Sequence, residues 1–366
     1  MKQIAAAVIG CGRIAQVYRQ ALLSMGEEVR LTIVFDKELS RAEDFASSFP
    51  GCKASAETDP AAVAERIRQS GADIVHILLP HFLHRDYAVA ALDAGLNVLT
   101  EKPIGISAED GEAMIRARDR SGKQLAVIFQ NRFIDGIQQL RESFQSGQMG
   151  KLLGVYSNLN WYRPESYYQC DWKGKWATEG GGVVIDQAIH SIDLVRYVTG
   201  LDAAEIDGHI SRRVRKTIEV EDEADAAITL TDGTVYAFYA TNYYAENSPI
   251  RVSFCCEKAS ALLTFDTVEI TWKDERGKQV ILPEARGRKQ GEDYWGIFHE
   301  VQLRECYKAL REGKPMPWSA EDAMKTLEIV LGIYQSSREN RTVVLRPQKA
   351  EFFSQNDNKR EDSAAE

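Results

Sequence analysis

Three side chains of this sequence have the types needed to act together on a hydroxyl group: Lys102, Asp186 and His190. Lys102 follows the β-rich run Asn97–Thr100, and an ammonium group there can hold a hydroxyl oxygen and stabilise negative charge on it. Asp186 and His190 are four residues apart, so one helical face carries both, and the carboxylate can orient an imidazole that accepts a proton. An exposed Asp–His ion pair and a solvated lysine are the alternative interpretations.

The residues around Asp186 bear on what kind of ligand this segment accepts. Three consecutive glycines at 180–182 precede it and leave no side chains in the way of a ligand. Asp186, His190 and Asp193 also suggest a metal, but no further ligand follows at a useful spacing and no His-Glu-x-x-His motif is present. We therefore expect no metal.

A second motif near the N-terminus predicts a dinucleotide site. The run Gly10-Cys11-Gly12-Arg13-Ile14-Ala15 follows a strand candidate and opens a helix, which is a G-x-G-x-x-A variant of the dinucleotide fingerprint. Gly10 permits a tight turn, and Gly12 lets the backbone approach a pyrophosphate at the helix N-terminus. Asp36 ends the second strand, where an acid binds ribose hydroxyls and repels a 2′-phosphate. The motif predicts NAD rather than NADP; a capping or turn role is the alternative for Asp36.

Composition excludes several classes of protein. The chain has 366 residues, with 45 Lys and Arg against 54 Asp and Glu, and its formal charge of -9 argues against a nucleic-acid-binding body. No stretch approaches the roughly 20 apolar residues of a membrane span. The N-terminus lacks a cleavage-site pattern, and the six cysteines show no regular pairing, so we expect a cytoplasmic protein with reduced thiols.

The elements that must position these residues are typical of an α/β protein. Short apolar runs alternate with helical patterns through the first part of the chain, as in a doubly wound parallel sheet buried on both faces. The second part contains many alternating polar and apolar runs, which predict a large, open, mainly antiparallel sheet, and one strong helix at 183–198. We predict domains at 1–124 and 125–346, and a polar, frayed tail at 347–366.

Together these motifs resemble the Gfo/Idh/MocA oxidoreductases. The resemblance rests on Gly10-x-Gly12-x-x-Ala15, Glu101-Lys102-Pro103 and the Gly-rich Asp186-x-x-x-His190 segment, in this order. It implies a Rossmann domain that binds the cofactor, followed by an α/β domain whose open sheet supports homodimers or homotetramers. It also implies that Lys102, Asp186 and His190 form the catalytic set.

A finer similarity connects residues 161–182 with nucleotide-sugar 3-dehydrogenases that act on UDP-N-acetyl-hexosaminuronates. It rests on Trp161-Tyr162-Arg163-Pro164 to Tyr167-Tyr168, and on Trp172-Lys173-Gly174-Lys175-Trp176 before the glycines. Aromatic and cationic residues suit stacking on sugar rings and pairing with phosphate or carboxylate. Lys173 stands where that group tends to have arginine, and Asp186 matches inositol-type dehydrogenases instead. Aromatic packing under a loop is the alternative.

These patterns and resemblances give the predicted contacts. The predicted cofactor contacts are Gly10, Gly12, Arg13, Ile14, Asp36, Leu79, Pro80, His84, Glu101 and Lys102. The predicted substrate contacts are Arg132, Arg163, Tyr168, Trp172, Lys173 and Gln187.

The sequence predicts an NAD-dependent dehydrogenase acting on a secondary hydroxyl of a sugar, a sugar derivative (such as a nucleotide-sugar) or a cyclitol. His190 takes the hydroxyl proton, Asp186 orients its imidazole, and Lys102 holds the oxygen. Two alternatives remain open: NAD-dependent, redox-assisted glycoside hydrolysis, and cofactor sensing without turnover. No nucleic acid or membrane partner is expected.

Overall fold

The computed structural model describes residues 3–283 and 298–345, so the predicted tail at 347–366 lies outside the described residues. The described part contains two sheets and ten α-helices. In these ranges no helix has the length and apolar character that crossing a membrane requires.

The first sheet is parallel and has six strands in the order β3-β2-β1-β4-β5-β6. Its strands are β1 Ile4–Ile9, β2 Val29–Phe35, β3 Lys53–Ser55, β4 Ile74–Ile77, β5 Asn97–Thr100 and β6 Leu125–Val127. The doubly wound sheet expected from the sequence is confirmed. The central strands β1 and β4 are buried at every position, as their continuous apolar runs require.

Helices lie between these strands: α1 Ala15–Ser24, α2 Leu39–Ala46, α3 Pro60–Gln69, α4 His84–Asp93 and α5 Ala108–Ser121. Local side chains fix their ends. The Ser107 side chain accepts a hydrogen bond from the Asp110 N–H at the start of α5, and Gly122 ends that helix with a φ of +65°.

The second sheet is mixed, with nine strands in the order β14-β13-β12-β11-β7-β10-β9-β8-β15. The strands are β7 Leu152–Asn160, β8 Ala203–Ser211, β9 Glu223–Leu230, β10 Val235–Thr241, β11 Arg251–Cys256, β12 Ala259–Thr264, β13 Thr267–Trp272, β14 Lys278–Ile281 and β15 Val343–Val344. Among the strands that the structure describes in this sheet, only β7 and β10 pair in parallel, so the predicted mainly antiparallel sheet is confirmed.

The remaining helices are α6 Asp135–Gln145, α7 Trp176–Glu179, α8 Ile189–Thr199, α9 His299–Glu312 and α10 Ala320–Glu339. The helix predicted at 183–198 begins as a π-turn, Val184–Ala188, before it continues as α8. Single π-turns inside helices are frequent at functional sites, and this one carries Asp186.

One helix that follows the second sheet in sequence packs against the first sheet. Leu303, Cys306 and Tyr307 of α9 pack in the same apolar core as β1 and α1, although α9 follows the second sheet in sequence. The strand β6 pairs in the first sheet immediately after residue 124. The domain limits 1–124 and 125–346 stay a prediction.

Buried histidines make the stability of this fold depend on pH. His76 of β4 lies in the core with its Nε2 atom 2.5 Å from the Tyr307 hydroxyl, and burial lowers its pKa to about 3. The unfolded chain therefore binds a proton below about pH 6.5 that the folded chain does not bind, so stability falls as the pH falls below that value.

We predict that His76→Gln removes this contribution. Between pH 7 and pH 5 the wild type loses about 2 kcal/mol more of its free energy of unfolding than the variant loses. Urea denaturation of both proteins at the two pH values measures the difference. Any loss of stability that the substitution causes at both pH values cancels in the comparison. If the free energies of unfolding of the two proteins fall equally between pH 7 and pH 5, the prediction is wrong.

Candidate active site

The glycine turn after β1 has the shape of a cradle for a pyrophosphate. Gly10 has a φ of +97°, and a Cβ atom on it would lie 2.5 Å from the backbone oxygen of Leu78. A Cβ atom on Gly12 would meet nothing within 4 Å, so the backbone is open on that side. The N-terminus of α1 starts directly after the turn, with Ile14 as its N-cap. This open turn fits the backbone approach that a dinucleotide needs.

Asp36 lies beside the glycine turn, as a ribose-binding acid must. Its carboxylate accepts hydrogen bonds from the backbone N–H groups of Cys11, at 2.7 Å, and Glu38, at 2.9 Å. Both bonds match the turn role that was the alternative for Asp36. A carboxylate has about four acceptor positions, so the two roles are compatible.

The loop after β4 holds the predicted residues Leu79 and Pro80, which are half-buried. Leu79 packs against the glycine turn, since its side chain lies 3.2 Å from where a Cβ atom of Gly10 would be. The ring nitrogens of His84 lie 2.8 Å from the backbone oxygens of Leu79 and Pro103. His84 is fully buried and joins the loops after β4 and β5, and its contact with the cofactor stays a prediction.

Glu101 is buried as well. It was predicted to contact the cofactor and orient Lys102, but its buried carboxylate accepts hydrogen bonds from Tyr18 of α1, at 2.9 Å, and His299 of α9, at 3.2 Å. Burial disfavours the charged form, but His299 and Lys102 outweigh it and lower the pKa of Glu101. Glu101 thus ties β5 to two helices behind the site.

Lys102 reaches the segment that carries the other two predicted catalytic residues. Its ammonium group donates to the backbone oxygen of Asp186 at 2.7 Å and lies 3.5 Å from the Asp186 carboxylate. The parallel sheet and the π-turn before α8 are thereby joined at the carboxyl end of β5, where ligands bind in this kind of sheet.

The structure corrects the expected pairing of Asp186 with His190. No hydrogen bond joins the two side chains in the described ranges. The Asp186 carboxylate accepts instead from Lys173, at 2.7 Å, and from the side chains of Tyr167 and Gln187. Asp186 also lies 3.7 Å from the ring of His81. A buried ammonium group attracts the carboxylate more strongly than a neutral imidazole does, so Asp186 turns toward Lys173.

The charges of this cluster are mutually dependent. Burial disfavours an ionised Asp186, but attraction to Lys173 and Lys102 outweighs burial and holds its pKa well below the usual range. Lys173 also contacts Glu179 at 3.1 Å, and burial raises the pKa of Glu179 to about 7 against the attraction of Lys173. The pKa of Lys173 is raised, because these acids outweigh its burial. Asp186 is therefore a fixed anion near neutral pH.

His190 is held as a neutral imidazole. Burial, assisted by repulsion from Lys102, lowers its pKa to about 3, and its Nδ1 atom is buried without a hydrogen-bond partner. The ring of Phe129 meets it edge-on at 6.4 Å between centroids. A neutral imidazole has one nitrogen free to accept a proton.

Arg132 does not reach the site, contrary to the prediction that it contacts substrate. Its guanidinium is almost fully buried, donating to Asp193 at 2.7 Å from Nε and pairing with Asp322 through another nitrogen. Burial would lower its pKa, but the two carboxylates raise it. These ion pairs hold the 3₁₀ turn at Gln130–Phe133 against α8 and α10.

The remaining predicted substrate residues form a wall beside Asp186. Trp172 packs edge-on against His81 at 5.0 Å, and the Lys173 ammonium lies 4.2 Å from the Trp172 ring centroid. The Arg163 guanidinium lies 4.6 Å from the ring centroid of Trp161. Its partners are the backbone oxygen of Tyr162 and the side chain of Asn247, and the described residues provide it with no carboxylate partner.

The sequence reasoning missed residues that complete this wall. Tyr167 donates to Asp186, and its ring lies 5.1 Å from the guanidinium of the predicted cofactor residue Arg13. Asn242, which follows β10, donates to the hydroxyl of Tyr168 at 2.8 Å and to Gln187 at 3.4 Å. Tyr167 was adjacent to a selected tyrosine, whereas Asn242 had no signal except its position at a strand end.

Comparison with families agrees with this geometry. Residues 4–129 match the model of an oxidoreductase family with an NAD-binding Rossmann fold, and residues 137–262 match the GFO/IDH/MocA C-terminal domain. The first match contains the glycine turn, Asp36 and Lys102, and the second contains Asp186 and His190. The first part of the chain is accordingly an NAD-binding Rossmann domain.

Curated relatives resemble the chain over most of its length. D-glucoside 3-dehydrogenase of Escherichia coli is 27% identical over 363 residues, which cover 93% of this chain and 97% of the relative. The scyllo-inositol 2-dehydrogenase (NAD(+)) of Bacillus subtilis is 25% identical, covering 95% of this chain and 98% of the relative. The relatives are dehydrogenases, and the chain is an enzyme of this oxidoreductase type.

Solved structures share the fold. The WlbA dehydrogenase of Chromobacterium violaceum, in complex with NADH and UDP-GlcNAcA, is 25% identical with a TM-score of 0.80, covering 94% of this chain and 97% of that chain. Levoglucosan dehydrogenase, in complex with NADH and levoglucosan, is 19% identical with a TM-score of 0.83, covering 94% of this chain and 100% of that chain. The second likeness concerns the fold alone.

The position of Asp36 predicts how the chain distinguishes NAD from NADP. We expect Asp36→Asn to raise the dissociation constant of NADH by about tenfold, since it removes a charge-assisted hydrogen bond. NADPH binding should weaken less or improve, because the charge that repels a 2′-phosphate is lost. Fluorescence titration with both nucleotides measures this, with Asp44→Asn on the exposed face of α2 as the control. Equal losses for both nucleotides contradict the ribose role of Asp36.

Proposed function

The chain belongs to the Gfo/Idh/MocA family of oxidoreductases, and on that premise we propose that it oxidises a secondary hydroxyl of a sugar, sugar derivative or cyclitol with NAD, using Lys102 and His190 at the reacting oxygen. The observation that carries the proposal is the 2.7 Å hydrogen bond from Lys102 to the backbone of Asp186. It brings the lysine at the end of β5 to the segment that presents His190, at the edge of the cofactor cleft.

The residues of the chain divide the work as follows. Lys102 donates to the substrate oxygen and stabilises its developing negative charge. His190, neutral near pH 7, accepts the hydroxyl proton, and the negative charge on the oxygen raises its otherwise low proton affinity. Bound NAD supplies the acceptor for the hydride that leaves the same carbon. Asp186 balances the charges of Lys102 and Lys173 and keeps the ammonium of Lys102 in place.

The wall beside Asp186 favours a substrate with an anionic group. Arg163 is a partly buried guanidinium without a carboxylate partner in the described part of the chain, and its Nε atom is buried without a hydrogen-bond partner. An arginine of this kind suits a carboxylate or a phosphate, which it can bind through two parallel hydrogen bonds. We propose a uronate or a nucleotide-sugar as the preferred substrate class, with neutral sugars and cyclitols as poorer substrates.

A screen for NADH formation at 340 nm tests the function. Glucose, methyl glucosides and scyllo-inositol represent neutral substrates, and glucuronate and UDP-N-acetylglucosaminuronate represent anionic ones. NADH formation with an anionic sugar supports the proposal. Release of the aglycone from chromogenic glycosides without net NADH indicates redox-assisted hydrolysis, and tight NAD binding without either reaction indicates a sensor; both results contradict it.

The assembly and location of the chain are also proposals. We propose a homodimer or homotetramer formed through the outer face of the second sheet, where Leu153, Tyr156, Val235 and Val280 are exposed. A cytoplasmic location agrees with six free cysteines, none of which forms a disulfide in the described residues.

Loss of either proton-handling side chain should remove most of the turnover. We predict that Lys102→Ala and His190→Ala each lower kcat by about 10² to 10⁴ with the best substrate of the screen, the usual contribution of acid–base and charge-stabilising groups. Lys123→Ala, an exposed lysine after α5, is the control. Near-normal kcat in both variants contradicts their assignment.

Arg163→Gln should separate anionic from neutral substrates. We expect KM for glucuronate or the nucleotide-sugar to rise by about tenfold or more, because a charge-assisted bond is lost, while KM for methyl glucoside changes less than twofold. Steady-state kinetics with each substrate measures the ratio, and Arg30→Gln, at the exposed position of the otherwise buried strand β2, is the charge-matched control. An equal effect on both substrate types contradicts the anion-binding role of Arg163.

A further inference from the structure

Neighbouring residues pack closely against the three glycines before Asp186. The sequence had predicted instead that these glycines leave space for a ligand. A Cβ atom on Gly180 would lie 2.6 Å from Ile106, and one on Gly181 would lie 2.0 Å from the Tyr334 hydroxyl oxygen. A Cβ atom on Gly182 would lie 1.9 Å from the backbone oxygen of Glu221. The glycines therefore let two polar residues, Glu221 and Tyr334, approach the start of the π-turn.

Glu221 binds the free N–H groups at that start. Its carboxylate accepts from the N–H of Gly182 at 2.8 Å and of Val184 at 3.0 Å, so it acts as a helix cap supplied from a distant part of the chain. The Tyr334 hydroxyl of α10 donates to the same carboxylate at 2.9 Å and accepts from the Ile185 N–H at 3.2 Å. Three backbone N–H groups before Asp186, those of Gly182, Val184 and Ile185, are thus held by two almost fully buried side chains.

The loop that supplies Glu221 also holds the substrate wall. The next residue, Asp222, accepts from the backbone N–H groups of Arg213, Val214 and Arg215, which fixes that loop. The Arg215 guanidinium lies 5.3 Å from the ring centroid of Tyr168 and donates to the backbone oxygen of Asn242. Glu221 and Asp222 therefore fix the segment that carries Asp186 and His190 and the wall beside it relative to each other.

We propose that Glu221 and Tyr334 are positioning residues of this enzyme, which fix the segment that carries Asp186 and His190 against Lys102. Neither residue reaches the cleft, since both are almost fully buried. Their effect passes through the backbone of 182–185 to the Asp186 carbonyl that Lys102 binds, and from there to His190 one turn later. Displacements of about 1 Å in such groups are enough to slow a reaction markedly. The inference rests on the proposed function for its kinetic consequence.

The variants Glu221→Gln and Tyr334→Phe test the proposal. Gln places an N–H₂ group where Glu221 accepts N–H donors, and Phe removes the hydroxyl while keeping the ring. Tyr236→Phe is the matched control, because it removes an equally buried hydroxyl, bonded to Ser157 at 2.6 Å, from a part of the sheet without active-site residues. All three are compared by melting temperature, NADH affinity, steady-state kinetics and amide hydrogen exchange of the 182–190 peptide.

We expect both site variants to lower kcat by about tenfold or more with NADH affinity within twofold of wild type, and to accelerate exchange in the 182–190 peptide. Tyr236→Phe should lower the melting temperature comparably and leave kcat and that exchange unchanged. Should Glu221→Gln fail to fold, Tyr334→Phe carries the comparison alone.

A kcat within twofold of wild type in a folded site variant overturns the proposal, and so does a kcat loss in Tyr236→Phe equal to that in Tyr334→Phe. Unchanged exchange in the 182–190 peptide overturns it independently of any substrate. Failure of the proposed function is recognised separately, because the wild type then reduces no NAD with any sugar of the screen.

Discussion

The attraction of one buried carboxylate for two lysines holds this site together. Asp186 lies between Lys102, at the end of a parallel strand, and Lys173, in the wall of the second domain. Burying a carboxylate is costly, and two cations with hydrogen bonds from Tyr167 and Gln187 offset that cost. Because the partners come from distant parts of the chain, the carboxylate fixes the cofactor side and the substrate side relative to each other.

The same arrangement explains why His190 is kept neutral and separate. The positive charge of Lys102, added to burial, lowers the pKa of His190, while Asp186 is bound by stronger partners. Lys102 and His190 can therefore face one oxygen, with the ammonium as donor and the imidazole as acceptor. The supporting groups are all buried: Glu101 between β5 and two helices, His84 between the loops after β4 and β5, and Arg132 against α8 and α10.

Local patterns in the sequence were enough to predict the fold class and the glycine turn after β1. They also selected Asp36, Lys102, Asp186 and His190, whose roles stay predictions. Turn geometry, strand periodicity and motif order are properties of short segments, which a single sequence displays. The pairing of Asp186 with Lys173 and the role of Glu221 depend on residues 13 to 39 positions apart, brought together by packing that periodicity does not encode. The sequence did not predict the buried ion pairs of Arg132 for the same reason, because its partners Asp193 and Asp322 lie on later helices.

Lys102 and His190 are proposed to hold the reacting oxygen, while Asp186 stays with Lys173. A crystal structure of the protein with NADH and the best substrate of the sugar screen is the decisive measurement. We expect one substrate hydroxyl within hydrogen-bond distance of both the Lys102 ammonium and the His190 imidazole, with the Asp186–Lys173 contact intact. A hydroxyl bound by Asp186 or Tyr167, with His190 out of reach, would show that Lys102 and His190 do not hold the reacting oxygen together.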